Sequence, residues 1–302
     1  MSRLYYVVLF FICSATAVAT TCQHQRVKVQ VLGSGGPELS DGRASSSYLI
    51  WLDNKGVVLI DAGAGSSLNY EKSGAELVDL QMIAFTHFHV DHSADFPAFI
   101  KAFYFTERTQ NLLVFGPEGN HFMPSASEFT NRLLGSRGAY AYLNDYLNKE
   151  AASPFKIISQ NIAGVKRRPE AVYASHSIAL FAIPVHHGSL PALAWRVELA
   201  GCAISFSGDM SNRYQTLVKL AQQTDILIAH NAIPETMQGA GRALHMPPSE
   251  IGKIARQAGV KKLILSHRMR RTLGKEQISS RFIKQAYQGP LVYANDMDVF
   301  SP

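Results

Sequence analysis

Apolar positions in this chain cluster into short runs rich in valine, isoleucine, leucine and phenylalanine, each bounded by glycine, proline, asparagine or aspartate. Such runs predict strands. They are expected over 26–32, 46–52, 56–60, 82–85, 112–115, 178–185, 192–199, 203–206, 226–229 and 262–265. The first alternates polar residues with valine before meeting Gly33-Ser34-Gly35-Gly36-Pro37, which reads as a tight turn. Helical spacing is expected at 93–105, at the aromatic-rich 125–153, at 214–223 and at 248–258, where proline opens the segment. Strands alternating with helices predict a layered α/β sandwich. With no self-similarity at 20–50 residues and no low-complexity linker, one domain over 20–302 is expected. The glycines at 33–36 do not make a phosphate-binding loop, because no Gly-Lys-Ser/Thr closes them.

The N-terminus departs from this pattern. Met1-Ser2-Arg3 is positively charged, Leu4 to Cys13 is almost wholly apolar, and Ala17-Val18-Ala19 has the small-x-small form of a cleavage site. Residues 1–19 are therefore expected to be a removed signal peptide and the protein to be exported, periplasmic or secreted. The apolar stretch is shorter than the ~20 residues that span a bilayer, so no stable membrane span is expected after cleavage. Lipid attachment at Cys22 is disfavoured, since Ala19-Thr20-Thr21 places no small residue directly before it. Removing the leader takes away Cys13 and leaves Cys22 and Cys202. An oxidising compartment permits these two to pair, but Cys202, in an apolar run, reads better as a small core residue. The formal net charge of +6 becomes +5 without Arg3, a weak bias toward anionic partners.

One segment carries most of the chemistry. Thr86-His87-Phe88-His89-Val90-Asp91-His92 places three histidines and a carboxylate directly after an apolar strand. In extended backbone, residues two apart share a face, so His87 and His89 can grip one cation while Phe88 turns into the core. Asp91 and His92 fall where the chain turns toward the next helix, where they can face a second ion. Imidazole and carboxylate together suit zinc, with manganese or iron as other occupants.

His-x-His-x-Asp-His at the end of a strand resembles the signature of the metallo-β-lactamase fold hydrolases, and later motifs follow in the same order. The resemblance covers nearly all of the chain after the leader and implies a four-layer αββα sandwich. Asp61-Ala62-Gly63 is similar to the family's supporting Asp-x-Gly turn, which gives Asp61 a role behind the ligands. Val185-His186-His187-Gly188 offers the next ligand; the resemblance favours His187, with His186 facing away. Gly208-Asp209 supplies a bridging carboxylate and Ser266-His267 the last imidazole. The implied sets are His87, His89, His187 and Asp209 for one ion, and Asp91, His92, Asp209 and His267 for the other. Two divalent ions, zinc foremost, would share an activated hydroxide. Asp91 and His245 are the implied catalytic residues, His245 facing the substrate.

Within that family the chain is most similar to the ribonuclease Z and arylsulfatase-like branch, on Pro191 to Arg196, on His245, and on the stretch from Pro247 to His267. Two features differ. A His-Glu pair in ribonuclease Z, whose carboxylate steers a histidine, is His230-Asn231 here. No Gly- and Lys-rich arm of the kind that clamps RNA lies between His92 and His187, and Lys166-Arg167-Arg168 reads as a solvated loop. The expected activity is hydrolysis of an anionic ester, a phosphodiester or a phosphate or sulfate ester of small-molecule or nucleotide type. Nucleic acid as substrate lacks the support of a clamping arm. A carboxylic esterase or lactonase is the alternative, followed by a β-lactamase, which generally lacks the bridging aspartate. A degenerate binding protein or a one-metal oxygenase would leave several of the seven ligand positions unexplained. Arg268, Arg270 and Arg271, next to His267, would favour phosphate or sulfate if they face the site. A homodimer is what the resemblance implies.

Overall fold

Residues 21–302 are described by the computed structural model, and the expected leader at 1–19 lies outside them. Among these residues the strands are β1 (Val27–Gly33), β2 (Ser47–Leu52), β3 (Lys55–Ile60), β4 (Met82–Ala84), β5 (Leu112–Pro117), β6 (Ile157–Ile162), β7 (Glu170–Ala174), β8 (Ile178–His187), β9 (Leu190–Leu199), β10 (Cys202–Phe206), β11 (Ile226–His230), β12 (Lys262–Ser266), β13 (Leu291–Tyr293) and β14 (Val299–Phe300). They form two seven-stranded sheets, ordered β14-β1-β2-β3-β4-β5-β6 and β13-β12-β11-β10-β9-β8-β7. Both sheets share one plan. β14, β1, β2 and β3 pair antiparallel and β3 to β6 parallel. In the second sheet β7 to β10 are antiparallel and β10 to β13 parallel.

The reason for the continuous apolar runs is visible in β2. Tyr48 and Ile50 point between the sheets, into a core shared with Trp195, Ile204 and Phe206. Leu49 and Trp51 point the other way, toward helices. On the outer side of the first sheet lie α1 (Ser66–Lys72), α2 (Val90–Ser93), α3 (Phe96–Phe103) and α4 (Ala126–Leu134), with Phe96, Phe99 and Leu134 packed on Leu49, Ile83 and Val114. The second sheet carries α5 (Leu217–Leu220), α6 (Gly239–Leu244), α7 (Pro248–Gln257) and α8 (Glu276–Ile283), and Leu217, Ile251 and Ile283 cover Leu227 and Leu263. Helix, sheet, sheet, helix is the four-layer order.

Some elements differ from the sequence reading. The long helix expected over 125–153 ends at Leu134, because Gly135 leaves the helical region, and only a 3₁₀ turn at Ala141–Tyr146 follows. The helix expected over 214–223 contracts to the single turn of α5; Gln215 takes a left-handed conformation before it and Gln223 after it. Helix α3 starts at Phe96, with Pro97 in its first turn, separate from α2. Cys202 is a buried core residue, as its neighbours suggested, but it is also disulfide-bonded to Cys22. Gln23 N donates to Ala200 O at 3.0 Å, laying the N-terminal segment against the β9–β10 turn and bringing the two sulfurs together.

Candidate metal centre

The C-terminal ends of β3, β4, β8, β10, β11 and β12 deliver polar residues to one edge of the sandwich. Asp61, just past β3, is fully buried in a left-handed conformation, φ 58°. Its carboxylate accepts from Thr86 N at 2.7 Å, from Thr86 Oγ1 at 2.8 Å and from His92 Nδ1 at 2.7 Å. These bonds fix the start of the histidine segment and turn His92 Nε2 inward. Gly63 has to be glycine, since a Cβ there would lie 2.3 Å from Asp91 O.

Phe88 points away from the centre and stacks on Phe129, ring centroids 4.3 Å apart. His87 and His89 face inward, His87 Nε2 and His89 Nδ1 being 3.0 Å apart. Strand β8 alternates its last two side chains. His186 Nδ1 meets Ser211 Oγ at 2.7 Å, outside the cluster. His187 donates from Nδ1 to Leu244 O at 2.9 Å, which sends Nε2 to within 3.3 Å of His89 Nδ1. Two residues past the end of β10 comes Gly208, φ 57°, where a Cβ would meet Thr86 Cβ at 2.9 Å, and then Asp209. Asp209 Oδ2 lies 3.9, 3.6 and 4.0 Å from His87, His92 and His187. Its Oδ1 lies 2.8, 3.4 and 3.7 Å from His230, His267 and His245.

Two donor groups result, each with its atoms within 4.8 Å of one another: His87, His89, His187 and Asp209, and His92, Asp209, His230 and His267. Asp209 belongs to both. Asp91 Oδ2 adjoins the second group, 3.6 Å from His92 Nε2 and 3.2 Å from His267 Nε2. The residues fit divalent cations. Burial holds His87 well below the usual histidine range and lowers His89 and His187, keeping these imidazoles neutral, the form that ligates a cation. His92 Nε2 is buried with no hydrogen-bond partner. Burial opposes charge on His92 and His267, but Asp91 and Asp61 around the first and Asp209 and Asp91 around the second raise both. Asp209 is held well below the carboxylate range: burial opposes this, and His267 and His245 outweigh it. Such a mixture of neutral imidazoles and carboxylate-paired ones suits a cation-binding cluster.

A sequence profile described as the beta-lactamase superfamily domain matches residues 57–268, which hold every donor named above. The chain belongs to this superfamily. Ribonuclease Z of Picrophilus torridus is 24% identical over 275 residues, covering 80% of this chain and 85% of that protein. Ribonuclease Z of Methanosarcina mazei is 26% identical over 273 residues, covering 80% and 87%. Among solved structures, the metallo-beta-lactamase fold protein YhfI from Bacillus subtilis has a TM-score of 0.70 at 18% identity, covering 91% of this chain and 99% of that one. Human tRNase Z, short form, has 0.67 at 18%, covering 91% and 98%. The chain is thus a ribonuclease Z-like hydrolase with the metallo-β-lactamase fold.

Against that superfamily pattern, His245 sits beside the centre, largely buried, its ring 5.6 Å from His187 and 5.8 Å from His267; burial pushes its pKa down to about 4. The three arginines after His267 separate. Arg268 is buried and bound to Glu276, Ala294 O and Asn295 Oδ1. Arg270 is exposed, its backbone N–H on Glu38 and its side chain near Ser40. Arg271 donates from Nε to Ala232 O at 2.6 Å, pairs with no carboxylate among the described residues, and lies close enough to His245 to lower its pKa. Of the basic cluster, Lys166 pairs with Glu170, Arg167 lies over Tyr214 and Arg168 is exposed. His230 was not among the expected site residues, yet it is 2% exposed and bonded to Asp209. One signal was available: His230 ends a buried strand, and His267 directly follows the end of its neighbour.

Proposed function

We propose that the chain is an exported, dinuclear metal-dependent hydrolase of phosphodiesters or of related phosphate or sulfate esters, with zinc as the cation. What carries this reading is Asp209, shared between two donor groups built from separate strands. His87, His89 and His187 would hold one ion with it, and Asp91, His92 and His267 the other. When bound, such a pair lowers the pKa of water from about 15.7 toward 7 and polarises the scissile group. The chain's own residues supply the rest. Asp61 orients His92 and Leu244 O orients His187. His245, neutral at pH 7 with a pKa near 4, is suited to donating a hydrogen bond to developing negative charge on the substrate. Arg271, a half-buried cation without a carboxylate partner beside His245, favours an anionic group there. The names of the curated relatives, ribonuclease Z, support a phosphodiester and admit RNA as a substrate. Export is supported by the Cys22–Cys202 bond, which suits an oxidising compartment, and by the small-x-small site three residues before Cys22.

The test is metal analysis followed by a substrate panel: an aryl phosphodiester, an aryl sulfate, a carboxylic ester, a lactone and a cephalosporin, with Asp209→Ala as control. About two equivalents of zinc per chain are expected, with phosphodiester or sulfate turnover abolished by the substitution. Turnover that survives Asp209→Ala would place the chemistry elsewhere. Turnover confined to the ester and lactone would replace the phosphate reading with the esterase one.

A further inference from the structure

Asp209 Oδ1 and Tyr48 lie on opposite sides of the His230 ring. His230 Nδ1 is 2.8 Å from Asp209 Oδ1, and Nε2 is 3.0 Å from the Tyr48 hydroxyl. All three residues are at least 98% buried, and Tyr48 packs on Phe206, the last residue of the strand that delivers Asp209. The polarity of this chain of bonds follows from its ends. A carboxylate only accepts, so the nitrogen facing Asp209 has to carry the proton. A neutral imidazole is then bare at Nε2, and the Tyr48 hydroxyl is the donor that satisfies it. Ser266 Oγ, near the phenol oxygen, is buried without a hydrogen-bond partner, so His230 is the one acceptor the Tyr48 hydroxyl meets among the described residues.

We infer that Tyr48 and His230 are positioning residues: Tyr48 fixes His230 in the Nδ1–H tautomer, and His230 in turn orients the carboxylate of Asp209, rather than serving as an eighth metal ligand. With Oδ1 held by an N–H, Oδ2 is aimed at His87, His92 and His187. A ring that donates through Nδ1 has no lone pair to offer a cation on that side, so His230 belongs behind the ligands although its atoms lie among theirs. In the pair His230-Asn231 the histidine is steered by a phenol from β2, and the Asn231 side chain is buried without a hydrogen-bond partner. This inference rests on the metal-site reading above, and its test separates the two.

Zinc affinity is measured by equilibrium dialysis against a competing chelator for four proteins. Tyr48→Phe keeps the ring and its packing and removes only the hydroxyl; its affinity is expected to fall about 10-fold or more. His230→Asn places an amide N–H near the position of Nδ1 and is expected to stay within about 3-fold of the unaltered chain, whereas His230→Ala loses about 10- to 100-fold. Nitrogen-15 NMR of histidine-labelled protein, with and without zinc, is expected to show the Nδ1–H form for the signal that disappears in His230→Asn. Affinity unchanged in Tyr48→Phe, His230→Asn as weak as His230→Ala, or an Nε2–H tautomer would each overturn the relay. If the unaltered chain binds no zinc, the metal reading fails, and the tautomer of the metal-free protein still decides this one.

Discussion

At the scale of single residues, burial decides what the histidines can do. His245 is 8% exposed with its pKa pushed down to about 4, so at neutral pH it is an uncharged N–H donor and not an imidazolium. It is therefore suited to steadying negative charge rather than to delivering a proton. His245→Ala should lower kcat by about 10²–10³ with zinc content unchanged, while His245→Gln, which retains an N–H, should recover part of the loss. The pH profile should show no ionisation between about pH 6 and 8 that vanishes with His245→Gln; one that did would restore the acid role. The choice between His186 and His187 also sits at this scale. Strand alternation dictates that the two face opposite ways, but which faces inward depends on register. Here that register joins His187 to Leu190 across the β8–β9 turn, and it leaves His186 to Ser211.

At the scale of elements, the histidine segment works because its alternate residue is an anchor. Phe88 is 6% exposed, lies against Phe85 and Phe129, and its ring approaches Gly116 closely enough to exclude a side chain there. Phe88→Ala should cost about 3–5 kcal/mol in thermal or urea unfolding of the metal-free protein and should weaken zinc binding as His87 and His89 lose their fixed spacing. A loss below about 1 kcal/mol would mean that the segment is held by Asp61 alone. Strands of this kind were legible in the sequence because both faces are covered, so their apolar runs are unbroken; β2, β10, β11 and β12 stand out for that reason. The edge strands β6 and β7 were not legible. Their burial is intermittent, Ser159, Gln160 and Glu170 interrupt them, and no run forms. The 125–153 stretch misled for the opposite reason. Its aromatics Tyr140 and Tyr142 are exposed rather than placed on a helical face, and Gly135 ends the helix before them. Of the candidate site, the local ligand cluster was readable, but His230 needed β11 to be set beside β10 and β12. The shared plan of the two sheets was hidden as well, since matching strand directions carry no matching sequence.

At the scale of the whole molecule, two features govern stability. The disulfide closes a loop of 180 residues between Cys22 and the start of β10. Asp209 lies past the other end of that strand, so reduction should lower the unfolding free energy by about 2–4 kcal/mol and leave zinc content intact; loss of zinc on mild reduction would show that the bond also holds the site. The second feature is the concentration of buried histidines. Burial lowers the pKa of His87, His89, His186, His187, His230 and His245, while carboxylates outweigh burial to raise His92 and His267. A lowered histidine contributes stability above its unfolded value near 6.5 that is lost as pH falls; a raised one contributes below that value and loses it as pH rises through the folded pKa. Below about pH 6.5 the two raised histidines are protonated in both states and drop out, so the six lowered ones leave the unfolded chain with more bound protons than the folded one. Each excess proton removes about 1.4 kcal/mol per pH unit. The melting temperature of chelator-treated protein should therefore fall steadily between about pH 6.5 and 4, the latter being where His245 itself titrates. Zinc should steepen the fall, because ligation also requires His92 and His267 to give up their protons. A melting temperature that stays level or rises over that range would mean that burial does not keep those six histidines uncharged in the folded chain.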